Sequence, residues 1–144
     1  MTTVAYCPTA LTLVTDSMAT SDESGESYAV TKAWKIGDHV YAAAGDYGDL
    51  LTVVEWLRAG RPKSKPKLKD DFSGLWIRRD NGSYQCFYQK LRMTPGRYAT
   101  AIGTGAQFAI GAMDAGASVI RAVEIACHRD EKSGGRLRII NFPC

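Results

Sequence analysis

Thr2, which follows the initiator Met1 directly, could do the most distinctive chemistry in this sequence. Cells usually remove Met before a small residue, and its removal would leave a hydroxyl and a free α-amine on one residue. The α-amine has a reference pKa of about 7.7–8.0, so it can act as a base near neutral pH. A threonine with its own N-terminal amine is a recognised pair of nucleophile and base. Many proteins begin with Met-Thr without using it, so this feature needs support from other residues.

The predicted first hairpin brings a carboxylate to Thr2. The runs 2–7 and 11–17 are rich in strand-forming residues and are separated by a short turn. If that turn centres on Thr9, Thr2 faces Asp16 across the two antiparallel strands. The sequence therefore predicts that the chain terminus meets a carboxylate.

The second predicted hairpin carries an internal lysine. Its strands are residues 28–36 and 39–45, joined by Gly37-Asp38, a pair suited to a type II′ turn. This register places Lys32 opposite Ala43. Ala and Trp beside Lys32 in the strand favour an inward-pointing side chain.

An inward-pointing Lys32 needs a partner, and Asp16 is the natural candidate. A cation close to Thr2 would favour the deprotonated amine and an alkoxide-like hydroxyl. The alternative is a structural salt bridge with no part in catalysis, which these residues alone favour.

Two glycine-flanked polar turns occur later in the chain. Gly103-Thr104-Gly105 precedes a predicted helix, whose N-terminal amides could bind an anion. It is not a P-loop, because the Gly-Lys-Ser/Thr ending is absent. The second turn contains Asp130 and the run Ser133-Gly134-Gly135. Two ordinary turns are the alternative.

The order of the predicted elements indicates an α+β domain with antiparallel sheets covered by helices. Asp46 is the expected N-cap of a helix that ends at Gly60, and Ser118 is the expected N-cap of the last helix. The other predicted elements are a hairpin of residues 71–79 and 83–89, short strands at 91–93 and 98–102, a helix at 106–116 and a closing strand at 136–142.

Composition narrows the class of protein without indicating its chemistry. The 144 residues are 45% hydrophobic and 23% charged, which fits one globular domain over residues 1–144. A net charge of +3 is too weak to predict nucleic-acid binding. No apolar run approaches the roughly 20 residues of a membrane span, and the start lacks the features of a signal peptide. We therefore expect a cytoplasmic protein with no membrane or nucleic-acid partner.

The four cysteines agree with that compartment. They are scattered, without a Cys-x-x-Cys pair, so neither a zinc site nor another metal site is expected. Free buried thiols are favoured over disulfides. No spacing supports a cysteine nucleophile with either histidine.

Taken in order, these motifs resemble those of the proteasome β-type subunits and of the related peptidase HslV. The resemblance is carried by Thr2-Thr3-Val4, Asp16, Lys32, Ala44-Gly45-Asp46, Ile102-Gly103-Thr104-Gly105 and Asp130-x-x-Ser133-Gly134-Gly135. It implies a short bacterial or phage-type member with the N-terminal nucleophile hydrolase fold, a four-layer αββα sandwich.

The resemblance also implies roles for individual residues. Thr2 would be the nucleophile, its α-amine the general base acting through a water, and Lys32 paired with Asp16 would ease removal of the hydroxyl proton. The remaining implied site residues are Thr104, Asp130 and Ser133, which would hydrogen-bond the amine and the water, and Ala42, near which a backbone N–H would complete the oxyanion hole. The family usually has Gly at the position of Ala42 and Ser at that of Thr104.

The implied function is a threonine peptidase that acts without a cofactor in a self-assembled ring. Its substrates would be peptides or unfolded proteins, with an ATPase unfoldase as a further partner. A catalytically silent assembly module of the same fold is the main alternative, and an amidase acting on a small amide is a third.

Overall fold

The computed structural model describes residues 2–21 and 23–144, in which two antiparallel sheets are stacked between helices. The elements in chain order are β1 (Val4–Cys7), β2 (Thr12–Thr15), β3 (Met18–Thr20), β4 (Ser27–Ala29), β5 (Ala33–Ile36), β6 (His39–Ala44), α1 (Tyr47–Arg58), β7 (Ser73–Arg78), β8 (Tyr84–Tyr88), β9 (Thr94–Pro95), β10 (Thr100–Ile102), α2 (Ala106–Asp114), α3 (Val119–Arg129) and β11 (Arg138–Asn141).

The two sheets share an apolar interior. The first sheet has the strand order β10-β1-β2-β11 and the second β5-β6-β7-β8-β9, while β3 and β4 form a separate ribbon. Side chains alternate between the faces of a strand, so each sheet offers two faces for packing. Val4 and Leu13 of the first sheet pack against Val40 and Leu75 of the second. Helix α1 covers the outer face of the second sheet, and α2 and α3 cover that of the first. The predicted αββα order is confirmed.

Helix α1 begins and ends close to its predicted limits. The Asp46 carboxylate accepts a hydrogen bond from the N–H of Asp49 at 3.3 Å, which confirms it as the N-cap. Arg58 is the last helical residue, and Gly60 follows with a left-handed φ of +84°. The Ser118 N-cap of α3 is also confirmed, because its hydroxyl accepts from the N–H of Arg121.

The predicted register of the first hairpin is wrong by one residue. Val4 pairs with Thr15, and the N–H of Asp16 donates to the C=O of Thr3 at 3.0 Å. The cause is the turn, which extends to Leu11 at a left-handed φ of +50° and therefore holds one residue more than expected. Asp16 consequently lies opposite Thr3 and not Thr2.

The register of the second hairpin is confirmed. Ala33 pairs with Ala42, and the N–H of Ala43 donates to the C=O of Lys32 at 3.1 Å. The predicted strand 28–36 is nevertheless two strands, β4 and β5. The chain leaves the sheet between them because the N–H of Val30 bonds to the C=O of Ser17 instead.

The strand predicted at residues 91–93 is absent from that segment, and the short pairing with β8 falls at β9. Leu91 has a left-handed φ of +58°, which is incompatible with a strand. All four cysteines are free thiols, as expected, but each is only partly buried. Among the described residues, none of the helices has the length and apolar character needed to cross a bilayer.

Candidate active site

Thr2 lies two residues before the first residue of β1, where the Gly103-Thr104-Gly105 turn holds its backbone. Its C=O accepts a hydrogen bond from the N–H of Gly105 at 3.2 Å, and its main-chain nitrogen donates to Thr104 Oγ1 at 3.3 Å. The residue is 1% exposed, yet it lines a cleft of about 460 Å³ together with Lys32. Thr2 is therefore rigidly held at the wall of a cleft that can admit a ligand.

The two glycines of this turn leave room for the backbone of the first strand. A Cβ at Gly103 would lie 2.1 Å from the carbonyl oxygen of Thr2, and one at Gly105 would lie 1.9 Å from Thr3 Oγ1. Gly103 also has a φ of +99°, which favours glycine. The Gly-Thr-Gly motif is thus explained by the close approach of Thr2 and Thr3.

We expect Gly103→Ala to lower both stability and the activity proposed below. The added methyl must displace the backbone of Thr2, and the left-handed φ adds roughly 1–2 kcal/mol of strain. Gly116→Ala is the matched control, because Gly116 has a φ of +101° but open space around its Cβ position. Urea unfolding and peptide hydrolysis of both variants make the comparison. Equal losses of stability with unchanged activity in both would contradict a steric role for Gly103.

Lys32 and Asp16 form an ion pair in the interior beside the cleft. Lys32 Nζ lies 2.8 Å from Asp16 Oδ1, and the two side chains are 1% and 0% exposed. Lys32 also donates to the C=O of Met18 at 2.5 Å. Asp16 Oδ1 accepts further from the N–H of Thr3, and Oδ2 from the N–H of Gly134 at 2.9 Å. The pair therefore ties β1, β2 and the Gly134 turn together under the cleft.

Burial and the ion pair shift the pKa of Lys32 in opposite directions. Burial lowers its pKa, the Asp16 carboxylate raises it, and the net pKa lies below the usual lysine value. Lys32 can therefore release or share a proton more readily than an exposed lysine. This property suits a residue that assists proton transfer from a neighbouring hydroxyl.

Asp130 collects hydrogen bonds from three groups. Its Oδ2 accepts from Thr104 Oγ1 at 2.5 Å and from Ser133 Oγ at 2.6 Å, and its Oδ1 accepts from the N–H of Lys132. Burial by itself would raise its pKa, but the bonds from Ser133 and Thr104 outweigh it and hold the pKa below its usual value. Asp130 is therefore an anion at neutral pH, one hydroxyl away from the nitrogen of Thr2.

The structure brings six predicted site residues together through hydrogen bonds and the buried ion pair: Thr2, Asp16, Lys32, Thr104, Asp130 and Ser133. Ala42 does not join them. Because the N–H of Ala43 points to β5, and N–H groups alternate along a strand, that of Ala42 points to β7, where it pairs with Leu75. Ala42 is also fully buried, so the expectation that its N–H serves an oxyanion hole is wrong.

Gly45, directly after β6, is a better candidate than Ala42 for the expected N–H. The same alternation directs its N–H to the β5 side of β6, where the opposing residue, Val30, has turned away to Ser17. Gly45 borders the cleft of Thr2 and a second cleft of about 350 Å³ that includes Thr104. The predicted register of β5 and β6 could have indicated Gly45, because this residue lies beyond the last pair of the two strands.

Thr3 is the second residue that the sequence reasoning missed. It is completely buried, and its Oγ1 lies 2.7 Å from Ser133 Oγ. The one-residue error in the first hairpin hid its contact with Asp16. Within residues 2–21 and 23–144, no group of three His, Cys, Asp or Glu side chains could hold a metal ion.

The structure is similar over almost its whole length to solved structures of two other proteins, HslV and BPH. HslV from Trypanosoma brucei matches 96% of this chain and 97% of its own, with a TM-score of 0.74 and 18% identity. Thiobacillus denitrificans BPH in complex with epoxomicin matches 97% of this chain and 98% of its own, with a TM-score of 0.70 and 15% identity. A second BPH structure covers 98% of this chain, with a TM-score of 0.69 and 16% identity.

The chain has the N-terminal nucleophile hydrolase fold. Neither the protein-family models nor the curated protein sequences give a match. In this N-terminal nucleophile hydrolase fold, Thr2 precedes β1 of the first sheet. Lys32, just before β5, and Gly45, just after β6, line the same cleft from the second sheet. The fold class expected from the motif order is thereby established.

Proposed function

We propose that the protein is a threonine-type peptidase in which Thr2, freed of Met1, is the nucleophile. The proposal is supported above all by three arrangements that converge on this residue. A cleft gives access to it, the buried Lys32–Asp16 pair lies beside it, and the hydrogen bonds of Asp130 reach its main-chain nitrogen through Thr104. A purely structural salt bridge would not explain the cleft beside Thr2 or the hydrogen bonds from Asp130 that reach its nitrogen through Thr104.

Hydrolysis proceeds in two stages. The α-amine of Thr2 takes the hydroxyl proton, directly or through a water, while Oγ1 attacks the peptide carbonyl carbon. The carbon–nitrogen bond breaks, the proton passes to the leaving amine, and an ester to Thr2 remains. Water then attacks the ester, and its proton passes to the α-amine. The bond between the carbonyl carbon and Oγ1 breaks, the amine returns the proton to Oγ1, and the carboxylic acid is released with the Thr2 hydroxyl restored.

Lys32 and Gly45 supply the electrostatic part of this mechanism. The Lys32 ammonium, held by Asp16, favours the developing charge on the Thr2 oxygen. The N–H of Gly45, at the junction of the two clefts, donates to the carbonyl oxygen as it becomes an oxyanion, a contribution of roughly 3 kcal/mol in other hydrolases. Thr104, Asp130 and Ser133 orient the amine and the water.

We further propose that the peptidase assembles into a homo-oligomeric ring and acts on peptides or unfolded proteins in the cytoplasm. Phe108 on α2 and Ile120 on α3 are 44% and 38% exposed, and such side chains suit contacts between copies. An ATPase unfoldase is a further partner by the resemblance to HslV, and a bacterial or phage origin stays a prediction. A silent assembly module is the alternative, and a small-amide amidase ranks after it.

Covalent labelling tests the activity. Protein whose intact mass shows loss of Met1 should form a one-to-one adduct with epoxomicin, the ligand in the BPH complex, with the added mass mapped to Thr2. The same preparation should hydrolyse fluorogenic peptides. Protein that retains Met1 is the matched control and should do neither, because its Thr2 nitrogen is an amide. If the processed protein also does neither, the silent module replaces the peptidase.

A further inference from the structure

We propose that Thr3 is a positioning residue, whose hydroxyl fixes the direction of the hydrogen bonds that end at the main-chain nitrogen of Thr2. The inference rests on the proposed function, in which this nitrogen is the general base. It assigns a role to a buried hydroxyl that the peptidase mechanism does not otherwise use.

The first arm of the network runs from Thr3 to Asp130. Ser133 Oγ donates its proton to Asp130 Oδ2 at 2.6 Å. A serine hydroxyl has one proton, so toward Thr3 Oγ1, at 2.7 Å, it can only accept. Thr3 is therefore the donor, and its hydroxyl begins a chain of two bonds that ends on the carboxylate.

The second arm runs from Thr2 to the same oxygen. The Thr2 nitrogen donates to Thr104 Oγ1, and Thr104 donates to Asp130 Oδ2 at 2.5 Å. Two neighbouring residues of the chain thus begin two arms that converge on one carboxylate oxygen. Whatever changes the charge on that oxygen changes the bond that Thr104 makes with the Thr2 nitrogen.

Thr3 acts on that charge through Ser133. A donor to Ser133 Oγ polarises its O–H group and strengthens the bond to Asp130, since hydrogen bonds in a chain reinforce one another. Without the Thr3 hydroxyl, Asp130 is less well neutralised. A stronger anion beside Thr104 favours the protonated amine of Thr2, which cannot act as a base.

The hydroxyl and the backbone N–H of Thr3 have different hydrogen-bond partners. The backbone N–H is held by Asp16 Oδ1 at 3.1 Å, whichever side chain is present. The hydroxyl occupies space that exists because residue 105 is glycine, since a Cβ there would lie 1.9 Å from Thr3 Oγ1. An isosteric substitution can therefore remove the hydroxyl and keep the strand in place.

Thr3→Val and Thr3→Ser, both with Met1 removed, test the role. In the valine variant we expect the pKa of the Thr2 α-amine, measured by ¹⁵N NMR, to rise by about 0.5, and the acid limb of the pH profile of kcat/KM to move up equally. We expect kcat/KM at pH 7 to fall about threefold, because a pKa rise of about 0.5 lowers the fraction of neutral amine by that factor. The serine variant keeps the hydroxyl and should behave as the wild type. Thr3→Ala replaces the valine variant if the latter does not fold.

A double variant shows whether Thr3 acts through Ser133. In a Ser133→Ala background, Thr3→Val should cause little further loss of kcat/KM, because the arm is already broken. Additive losses, or an unchanged amine pKa in Thr3→Val, would overturn the positioning role. If the processed wild type hydrolyses no peptide, the proposed function fails, while the NMR titration still decides whether Thr3 acts on the Thr2 nitrogen.

Discussion

Thr2→Ala is expected to abolish peptide hydrolysis while the fold remains intact. The substitution removes the hydroxyl that attacks the carbonyl, and loss of a nucleophile costs about 10⁴-fold or more in kcat. The backbone bond from Gly105 to the Thr2 carbonyl does not depend on the side chain, so the strand stays in place. Initial rates on a fluorogenic peptide, with unfolding by urea measured beside them, give the result.

Two substitutions control for the loss of a buried threonine. Thr2→Ser keeps the hydroxyl and should retain activity within about tenfold. Thr15→Val removes a similarly buried hydroxyl, Thr15 Oγ1, which has no hydrogen-bond partner among the described residues, and should leave kcat unchanged. Full activity in Thr2→Ala would show that a different residue is the nucleophile, even if the protein is a peptidase.

Asp16→Asn is expected to cause the largest loss of stability among substitutions in the site. It leaves Lys32 buried without its anion and places an amide NH₂ or a neutral oxygen against groups that now donate to the carboxylate. Breaking a buried pair in this way costs about 3–5 kcal/mol in the free energy of unfolding. Activity should fall as well, because the ammonium loses the group that holds it.

The loss of stability in Asp16→Asn should depend on pH in a defined direction. Asp16 raises the pKa of Lys32, so its removal lowers that pKa further below the lysine reference. Between the folded and unfolded pKa of Lys32, the unfolded chain binds more protons, and stability rises with pH. The deficit of Asp16→Asn relative to wild type should therefore be largest at neutral pH and decrease toward pH values of about 10.

A surface ion pair provides the control for Asp16. Asp80 accepts two hydrogen bonds from Arg78, and both side chains are largely exposed. The transition of Asp80→Asn in urea should coincide with that of the wild type, because exposed pairs contribute little. If Asp16→Asn unfolds at the same urea concentration as Asp80→Asn, the buried pair does not stabilise the fold as expected.

The elements with strong local signals were predictable from the sequence. Asp46 and Ser118 cap helices because their short polar side chains satisfy free N–H groups, which is a local preference. The turn at Gly37 similarly determined the register of β5 and β6. The order of these elements, read with the motifs, was enough to indicate the αββα fold, and the motifs predicted six polar residues that the structure brings together.

The residues that sequence reasoning misplaced depend on geometry between strands. The turn that ends at Leu11 has one residue more than expected, which shifts every pair of the hairpin by one. Asp16 therefore lies opposite Thr3 and not Thr2. The two-residue alternation of N–H groups along a strand directs the N–H of Ala42 to β7 and that of Gly45 to the opposite side of β6. A motif identifies the polar side chains but not which neighbouring N–H remains outside the ladder.

The sequence by itself determined the chemistry available here, which is a hydroxyl at residue 2 with lysine, aspartate and hydroxyl partners at recognisable motifs. Local preferences and residue types are properties of short segments, so they can be read without the fold. Only the tertiary structure decided that Lys32 is paired in the interior, that Asp130 joins two arms of hydrogen bonds, and that Thr3 begins one of them. Burial and direction of hydrogen bonding arise where distant segments meet, and no short segment specifies them.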